Sequence, residues 1–425
     1  MQSNLHSFFN VFFNYGGFRM NNKTISSNKD FLRANIFKNY IYVFLSNFNL
    51  TGGIWMLYLA SKGLNLLEIG IMESIYHITS FTMEIPTGIV ADLYGRKSSR
   101  ILGRLANIIS IILMLISNEI YVFALSFIFT AIGNNLESGA GEALLYDSLK
   151  ELKEQDTYMK IAGKNEIFYQ VASSLALILG GFLGTINYMY VYIVALVFSI
   201  LTLLQSLTFT EPTIGKINAS ASRFNIFINQ FNTSITIIKN DFRITFFILS
   251  IEIFSTFVTT EFFYIQNYFK SLGRSEFEIG ILLSISAFTA AILATTAHKL
   301  ENKYGFTGIL TILPILAIIS FWGITNSSLI EIAFISIISI DSILVVVISD
   351  YINRLIPSEQ RATILSFQSM SFSFFMILLF PLIGRIGDIF GLNYAFNIIA
   401  LISSFVLLIF IFMIQKNSKL NINKN

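Results

Sequence analysis

The segment Ser61-Lys-Gly-Leu-Asn-Leu-Leu-Glu-Ile-Gly-Ile71 recurs 210 residues later as Ser271-Leu-Gly-Arg-Ser-Glu-Phe-Glu-Ile-Gly-Ile281. The same separation relates Tyr94-Gly95 to Tyr304-Gly305. Because this separation is about half of the 425-residue chain, the two halves carry the same pattern at the same places. A duplicated pattern in an apolar chain predicts two parallel membrane repeats with a solute pathway between them.

The composition indicates a protein that lies in a membrane. Hydrophobic residues make up 54% of the chain and charged residues only 12%, too few to cover a soluble protein of this size. The absence of Cys and the presence of only three His argue against disulfides, thiolate chemistry and a His-based metal centre. The net charge of +3 is spread over short loops, so we expect no nucleic-acid partner. We also expect no cofactor and no enzymatic activity, because the sequence has no phosphate-binding loop and no nucleophile–His–acid set.

Twelve segments are long and apolar enough to cross a bilayer as helices, which takes about 20 residues each. In the first half they lie near 38–60, 68–90, 100–117, 119–147, 165–186 and 189–210, and in the second half near 241–267, 276–298, 306–324, 328–350, 362–384 and 392–415. We therefore predict an all-α membrane protein with twelve transmembrane helices in two parallel six-helix pseudo-repeats.

The predicted domains follow from these segments. Two six-helix bundles occupy residues 38–210 and 241–415, and the stretch 211–240, rich in Asn, Ser and Thr, is the predicted cytoplasmic linker. Residues 1–37 and 416–425 are the predicted cytoplasmic tails. Apolar residues of the linker recur at helical spacing, so we expect part of it to lie along the membrane surface; they are Phe224, Phe227, Ile228, Phe231 and Ile235.

The start of the chain carries a separate expectation. Residues 8–13 are apolar but too short to span a bilayer. Gly16-Gly17 is compatible with a ribosome-binding sequence a short distance before Met20. We expect translation to begin at Met20, so that residues 1–19 are not translated.

The basic residues predict the orientation through the positive-inside rule. With the N-terminus in the cytoplasm, 24 of the 28 Lys and Arg residues fall in cytoplasmic segments. One missed span would move every later loop to the other side, so the asymmetry supports an even number of spans and two cytoplasmic termini. The abundance of Ile, Asn, Lys and Phe is typical of AT-rich bacterial codons. We predict a protein of the bacterial plasma membrane.

A charged loop follows the second predicted span and reads Gly88-Ile-Val-Ala-Asp92-Leu-Tyr-Gly95-Arg96-Lys97. Gly88 permits close approach of helices, and Gly95 suits a tight turn. Asp92 can accept hydrogen bonds from the free N–H groups of a neighbouring helix start, or pair with Arg96. The basic residues, Arg100 among them, would lie at the anionic inner leaflet.

This loop resembles the G-x-x-x-D-x-x-G-R-[KR] signature of the major facilitator superfamily, and the two six-span halves extend the resemblance over nearly the whole chain. The resemblance implies the fold of that superfamily and a latch that closes the cytoplasmic side when the transporter opens outward. The implied latch residues are Gly88, Asp92, Gly95, Arg96 and Lys97. For Lys97 and Arg100 we favour the simpler interpretation that they only satisfy the positive-inside rule. In the second half Asn302 and Phe306 replace Asp92 and Arg96, so the two loops are unequal.

A narrower pattern, Glu84-Ile-Pro86 followed by Asp92 and Arg96-Lys97, resembles a variant found in clostridial-type tetracycline efflux proteins. His77 stands where that subgroup has a second acidic residue. Asn135 also stands where the family's fourth-span motif has an Arg tied to proton antiport, and the fifth span lacks the Gly-Pro pair of drug antiporters. The resemblance raises drug export as a hypothesis, and these departures weaken it.

Ionisable residues inside predicted spans need a reason, because a carboxylate in hydrocarbon costs several kcal/mol. Glu73, His77, Ser80 and Glu84 form one polar stripe on the second span. Glu84 is either a proton-exchange group on a wet cavity or a member of the latch. We expect Glu73 to be solvated near the outer interface.

Spans one, four, seven and ten line the cavity in the family. The proton-coupling candidates are Glu84, Glu137, Glu142, Glu252 and Asp341, and the cavity candidates are Asn135, Ser138, Thr256, Thr259 and Trp55. We prefer Glu252 to Glu261, because the two point in opposite directions on one helix and Glu252 has polar neighbours. For Trp55 interface anchoring is the simpler interpretation.

The sequence thus predicts a monomeric secondary transporter that moves a small organic solute by alternating access, driven by a proton gradient. Buried acids without balancing buried Lys or Arg suit cations or protons better than anions. The expected activity is efflux of a hydrophobic or cationic compound, such as a drug. Uptake of a nutrient or metabolite by the same fold is the first alternative. A non-transporting lipid translocator or sensor is the second. The expected partners are the solute, protons and the lipid bilayer.

Overall fold

The computed structural model describes residues 22–213, 241–325, 328–356 and 361–416, and these residues are helical apart from short connections. The helices of the first half are α1 (Asn22–Asn47), α2 (Trp55–Ser61), α3 (Leu66–Tyr94), α4 (Arg96–Ile116), α5 (Ile120–Glu137), α6 (Ala140–Leu152), α7 (Tyr158–Ile186) and α8 (Tyr188–Leu207). Those of the second half are α9 (Phe242–Ser271), α10 (Glu276–Ala294), α11 (Ala297–Ile324), α12 (Ile330–Leu355), α13 (Arg361–Phe390) and α14 (Leu392–Lys416). The expected start at Met20 and the expected surface helix of the linker lie outside the described residues.

Ten helical stretches of the described residues are long and apolar enough to cross a membrane. The first two predicted spans are not among them, for two different reasons. The first span is divided into α1 and α2 by the non-helical residues 48–54. The second is the continuous helix α3, whose polar stripe lowers its hydropathy.

Two further spans differ from the predicted segments. The fourth, expected to be continuous over 119–147, is interrupted between Glu137 and Ala140, where Gly139 has a φ of +72°. The fifth begins at Tyr158, earlier than the predicted residue 165, because the polar residues before the apolar run continue the helix as its first turns.

The duplicated segment forms the same local structure twice. Asn65 and Ser275 each accept a hydrogen bond from a backbone N–H three residues on, and the Glu68 and Glu278 carboxylates accept one from the backbone N–H of the cap residue. These capping boxes start α3 and α10 and satisfy free N–H groups of the first turn. The glycine before each box has a positive φ, +92° at Gly63 and +86° at Gly273, which glycine adopts without strain.

The two halves pack together through α3 against α13 and through α7 against α10. A Cβ on Gly70 would lie 2.6 Å from the Pro381 Cα, and Gly181 and Gly280 face each other so closely that a Cβ on either would lie about 3.1 Å from the other's Cα. Gly70 and Gly280 are equivalent positions of the duplicated segment. Small residues at both contacts allow the backbones to touch.

The bundle has two ends that differ in closure. We call the end with Gly95 the motif face, and the end with the duplicated segments the opposite face. At the opposite face the Asp388 carboxylate accepts hydrogen bonds of 2.9 Å from the backbone N–H groups of Leu66 and Leu67. The Tyr264 hydroxyl lies within hydrogen-bonding distance of two carbonyls, that of Phe380 in its own half at 2.9 Å and that of Leu66 in the other half at 3.1 Å.

Towards the motif face the halves separate. Asp92 is exposed, and no heavy atom lies within 4 Å of the point where a Cβ on Gly88 would stand. The expected close helix approach at Gly88 is therefore not formed in this conformation. The structure is closed at the opposite face and open at the motif face.

Candidate functional site

The charged loop at the motif face has a cap that the sequence analysis did not identify. The Glu211 carboxylate accepts hydrogen bonds of 2.7 Å from the backbone N–H groups of both Arg96 and Lys97, the first residues of α4. Asp92 instead pairs with the Arg96 guanidinium at 2.8 Å. Of the two roles expected for Asp92, the structure shows the ion pair. Gly95 has a φ of +95°, and a Cβ there would lie 2.7 Å from the Glu211 carboxylate.

Two arginines of α4 lie inside the first half instead of at the leaflet. Arg100 is 2% exposed, and its Nε donates to the Glu137 carboxylate at 3.0 Å. Its guanidinium lies 3.6 Å from the centre of the Tyr42 ring. Arg104 donates to the Tyr42 hydroxyl at 2.8 Å and lies 3.7 Å from Glu137. The expectation that Arg100 lies at the inner leaflet was wrong, and so was the premise that the buried acids have no buried basic partner.

A second acidic cluster joins α9, α12 and α13. The Gln368 amide donates to the Glu252 carboxylate at 2.6 Å, and the Ser255 hydroxyl donates to the Asp341 carboxylate at 2.6 Å. Glu252 and Ser255 are one turn apart on α9, so the two acids lie next to each other. Two neighbouring carboxylates in surroundings of low dielectric repel each other when both are ionised, and a proton or a cation at the site would stabilise the pair.

Glu261 is also on α9 and is fully buried, with 0% exposure. Neither of its carboxylate oxygens has a hydrogen-bond partner among the residues that the structure describes. It lies nine residues after Glu252, a spacing that places the two side chains on opposite faces of an ideal helix. Burying an ionised carboxylate without partners in such a place is costly.

The remaining predicted residues are dispersed. Asn135 is buried and exchanges two hydrogen bonds with Ser80, of 2.8 Å with its hydroxyl and 2.6 Å with its carbonyl. The Thr256 hydroxyl is satisfied by the Glu252 carbonyl of its own helix at 2.6 Å. The others differ in exposure: Ser138 and Glu142 are exposed, while Glu84 and Thr259 are half-buried.

A cavity of about 300 Å³ with apolar and polar lining lies mainly within the first half, beside the break between α1 and α2. Trp55, one of the cavity candidates, lines it. Glu73 and Arg104, which were not predicted, line it as well. Glu73 is 8% exposed and lies 3.4 Å from the His77 imidazole, so the expectation of a solvated Glu73 was wrong. Apolar and polar side chains share the rest of the wall. Its hydroxyl and amide groups include those of Asn107, Ser110, Ser126, Thr130, Asn134, Ser199 and Thr202.

Comparison with known proteins agrees with this architecture. The family model of the Major Facilitator Superfamily matches residues 36–340 and 245–425. The chain is 25% identical over 361 residues to a Bacillus subtilis (strain 168) protein described as "Uncharacterized MFS-type transporter YxaM", covering 82% of this chain and 87% of that one.

Solved transporters share the fold. The nucleoside transporter NupG superposes with a TM-score of 0.75 at 14% identity, covering 90% of this chain and 99% of that one. A D-xylose–proton symporter superposes with a TM-score of 0.68 at 13% identity, covering 90% and 96%. The peptide transporter POT in complex with sulfate gives 0.71 at 14% identity, covering 91% and 95%. These identities carry the fold alone.

The family assignment follows from the extent of the match, which covers more than half of the chain. The structural similarity spans both halves of the helical bundle and about nine tenths of the residues. The described residues also supply ten apolar helices of membrane-crossing length. This chain belongs to the Major Facilitator Superfamily, and it is a multi-pass membrane transporter and not an enzyme.

Proposed function

We propose that this protein is a secondary active transporter that moves a small organic solute by alternating access. Closure at the opposite face, with separation at the motif face, is the observation that carries the proposal. The architecture we propose has twelve spans in two parallel six-helix pseudo-repeats, 38–210 and 241–415, joined by the linker 211–240. The paired geometry of the duplicated segments supports it, because equivalent glycines make both contacts between the halves.

We place the motif face in the cytoplasm of a bacterial cell, with both termini on that side. The distribution of 24 of 28 basic residues supports this orientation. The structure then corresponds to an inward-open state. In the outward-open state the latch would contact the second half; its residues are Gly88, Asp92, Gly95, Arg96 and Lys97. The hydrogen bonds from the start of α4 to Glu211 keep the latch loop in place.

Proton coupling is assigned to the pair of Glu252 and Asp341. A shared proton would hold these neighbouring acids together across α9 and α12, and its release would favour their separation. Glu137 is engaged with two arginines and is assigned a structural role. Glu84 and Glu142, which have no described ion pair, stay as predicted coupling candidates.

Glu252→Gln and Asp341→Asn are each expected to reduce proton-driven solute flux at least tenfold in proteoliposomes. Exchange of solute without a pH gradient should persist, because neutral amides preserve the hydrogen bonds to Gln368 and Ser255. Glu166→Gln is the matched control, since Glu166 is exposed and its recorded contact is with Gln170 of its own helix. Wild-type, gradient-driven flux in both variants, at equal reconstitution, would contradict the assignment.

Export is the direction we propose, because the pattern from Glu84 to Lys97 resembles that of efflux proteins. A hydrophobic or cationic compound, such as a drug, is the substrate first expected. The polar wall of the cavity and the presence of Arg104 favour the second candidate, a polar metabolite. A drug-susceptibility panel in an efflux-deficient host, together with solute flux measured in oriented vesicles, separates the two candidates and fixes the direction.

Asp388→Ala is expected to weaken closure at the opposite face. Loss of a carboxylate cap costs about 1 kcal/mol, which changes the ratio of molecules closed and open at the opposite face about fivefold. The chain has no Cys, so a Ser74→Cys variant has a single thiol. The rate at which a membrane-impermeant thiol reagent modifies it reports opening of the opposite face. Ser74 is buried and donates to the Ile377 carbonyl at 3.0 Å across the contact. Labelling should accelerate several-fold in Asp388→Ala and stay unchanged in the control Asp350→Ala, whose ion pair is with Arg354 of its own helix.

A further inference from the structure

The cavity of the first half has a charged group of each sign in its wall. Its lining side chains include one basic residue, Arg104, and one acidic residue, Glu73. Glu73 lies two turns into α3 from the opposite face, whereas Arg104 lies about three turns into α4 from the same face. With a rise of 1.5 Å per residue, the backbone of Arg104 is about 8 Å deeper than that of Glu73. The cavity is therefore polarised along the membrane normal.

Among the residues that the structure describes, the ion pairs at the positive end leave one cation in excess. Arg100 and Arg104 share a single carboxylate, that of Glu137. Arg100 is the closer of the two to Glu137, with its Nε 3.0 Å from the carboxylate, and it also contacts Asn39 and the Tyr42 ring. The Arg104 guanidinium lies farther from the Glu137 carboxylate, at 3.7 Å. A buried cluster with two cations and one anion is stabilised by a further anion, and Arg104 is the member that lines the cavity.

The negative end is Glu73, whose recorded ionic partner is the His77 imidazole of its own helix at 3.4 Å. The other ring nitrogen of His77 lies 3.2 Å from the Ser373 hydroxyl. Aromatic rings line the same cavity, and the Trp55 ring is 5.4 Å from that of Phe127 and 5.3 Å from that of Phe263. A carboxylate beside aromatic faces is an arrangement that binds an ammonium group and an adjoining apolar group.

The volume sets the size of the occupant. A cavity of about 300 Å³ equals the share of about ten water molecules in the liquid, which corresponds to a solute of about ten to fifteen non-hydrogen atoms. Hydroxyls and amides between the two charged ends supply hydrogen bonds but no further charge. The site suits a compact solute with two opposite charges better than a large hydrophobic cation.

We propose that this cavity binds a small zwitterion, with one carboxylate, one ammonium group and an apolar side group, of the size of a single amino acid. Arg104 pairs with the carboxylate and Glu73 with the ammonium. Trp55, Phe127 and Phe263 pack against the side group. The role of this site in a transport cycle rests on the proposed function, whereas binding itself is measurable without transport.

Equilibrium binding to the purified full-length protein tests the charge requirement with three ligands of one shape. Phenylalanine carries both charges, phenethylamine only the ammonium and 3-phenylpropionate only the carboxylate. We expect phenylalanine to bind at least tenfold more tightly than either of the others. Equal binding of the amine would overturn the proposal in favour of an organic-cation site, and equal binding of the acid in favour of an anion site. Failure of phenylalanine, leucine and glycine all to bind would also overturn it.

Glu73→Gln assigns the ammonium subsite. The variant should lose at least tenfold in affinity for phenylalanine while its weaker affinity for 3-phenylpropionate is unchanged, a pattern that a folding defect does not produce. Glu166→Gln should bind all three ligands like the wild type. Glu252→Gln separates the two proposals, because it should keep phenylalanine binding and lose proton-driven flux. Loss of coupling with intact zwitterion binding would support both proposals, and intact coupling without zwitterion binding would overturn this one alone.

Discussion

Gly280→Ala is expected to reduce solute flux more than tenfold, although it adds a single methyl group. A Cβ at this position would overlap the Leu177 carbonyl oxygen of α7 and lie 3.2 Å from the Gly181 Cα. Both neighbours are backbone atoms, so they cannot rotate away as a side chain would. The halves would then be unable to close at the opposite face, and a transporter that cannot reach one of its two end states does not cycle.

The matched control for this substitution is Gly163→Ala in α7. Gly163 is also helical, but nothing lies within 4 Å of its potential Cβ, so alanine there should preserve flux and slightly favour the helix. Ser74→Cys in each background reports closure directly, and its labelling by an impermeant reagent should accelerate only with Gly280→Ala. Normal flux together with slow labelling in Gly280→Ala would show that this contact is not needed for the cycle.

The parts of the fold that sequence reasoning predicted are those encoded locally. The duplicated segment contains its own turn glycine, cap residue and capping glutamate within a few positions, so both copies form the same helix start. The break after α1 was missed, although the cluster from Asn47 to Gly53 is rich in turn residues and was a usable signal. Its flanking apolar residues were interpreted as one continuous span.

The contacts that hold the candidate sites join residues far apart in the chain, and one sequence does not reveal them. Asp388 caps a helix that begins more than 300 residues earlier, and Glu211 was interpreted only as the start of a linker. Arg100 was assigned to the membrane surface because it follows a charged loop, and Arg104 was not identified. Their partner Glu137 lies on another helix, and helical periodicity gives no information about which helices are neighbours.

Glu137→Gln is expected to destabilise the first half by about 3–5 kcal/mol, the usual consequence of removing one member of a buried ion pair. Arg100 is 2% exposed and would keep its charge, with the Asn39 amide and the Tyr42 and Phe209 rings as its remaining contacts. Thermal unfolding of the detergent-solubilised protein, followed by size-exclusion chromatography after heating, measures the loss.

Glu154→Gln is the control, because Glu154 pairs with Arg33 at the exposed motif face, where such pairs contribute about 0–1 kcal/mol. Equal unfolding temperatures for the two variants would show that the Arg100–Glu137 pair does not stabilise the fold. In that case the three residues would not form a fixed ion-pair cluster, and the argument that Arg104 carries an excess positive charge would fail. A large loss in Glu137→Gln alone instead ties the charge at the cavity wall to the packing of α1, α4 and α5, so that the same residues stabilise the first half and determine which solutes it accepts.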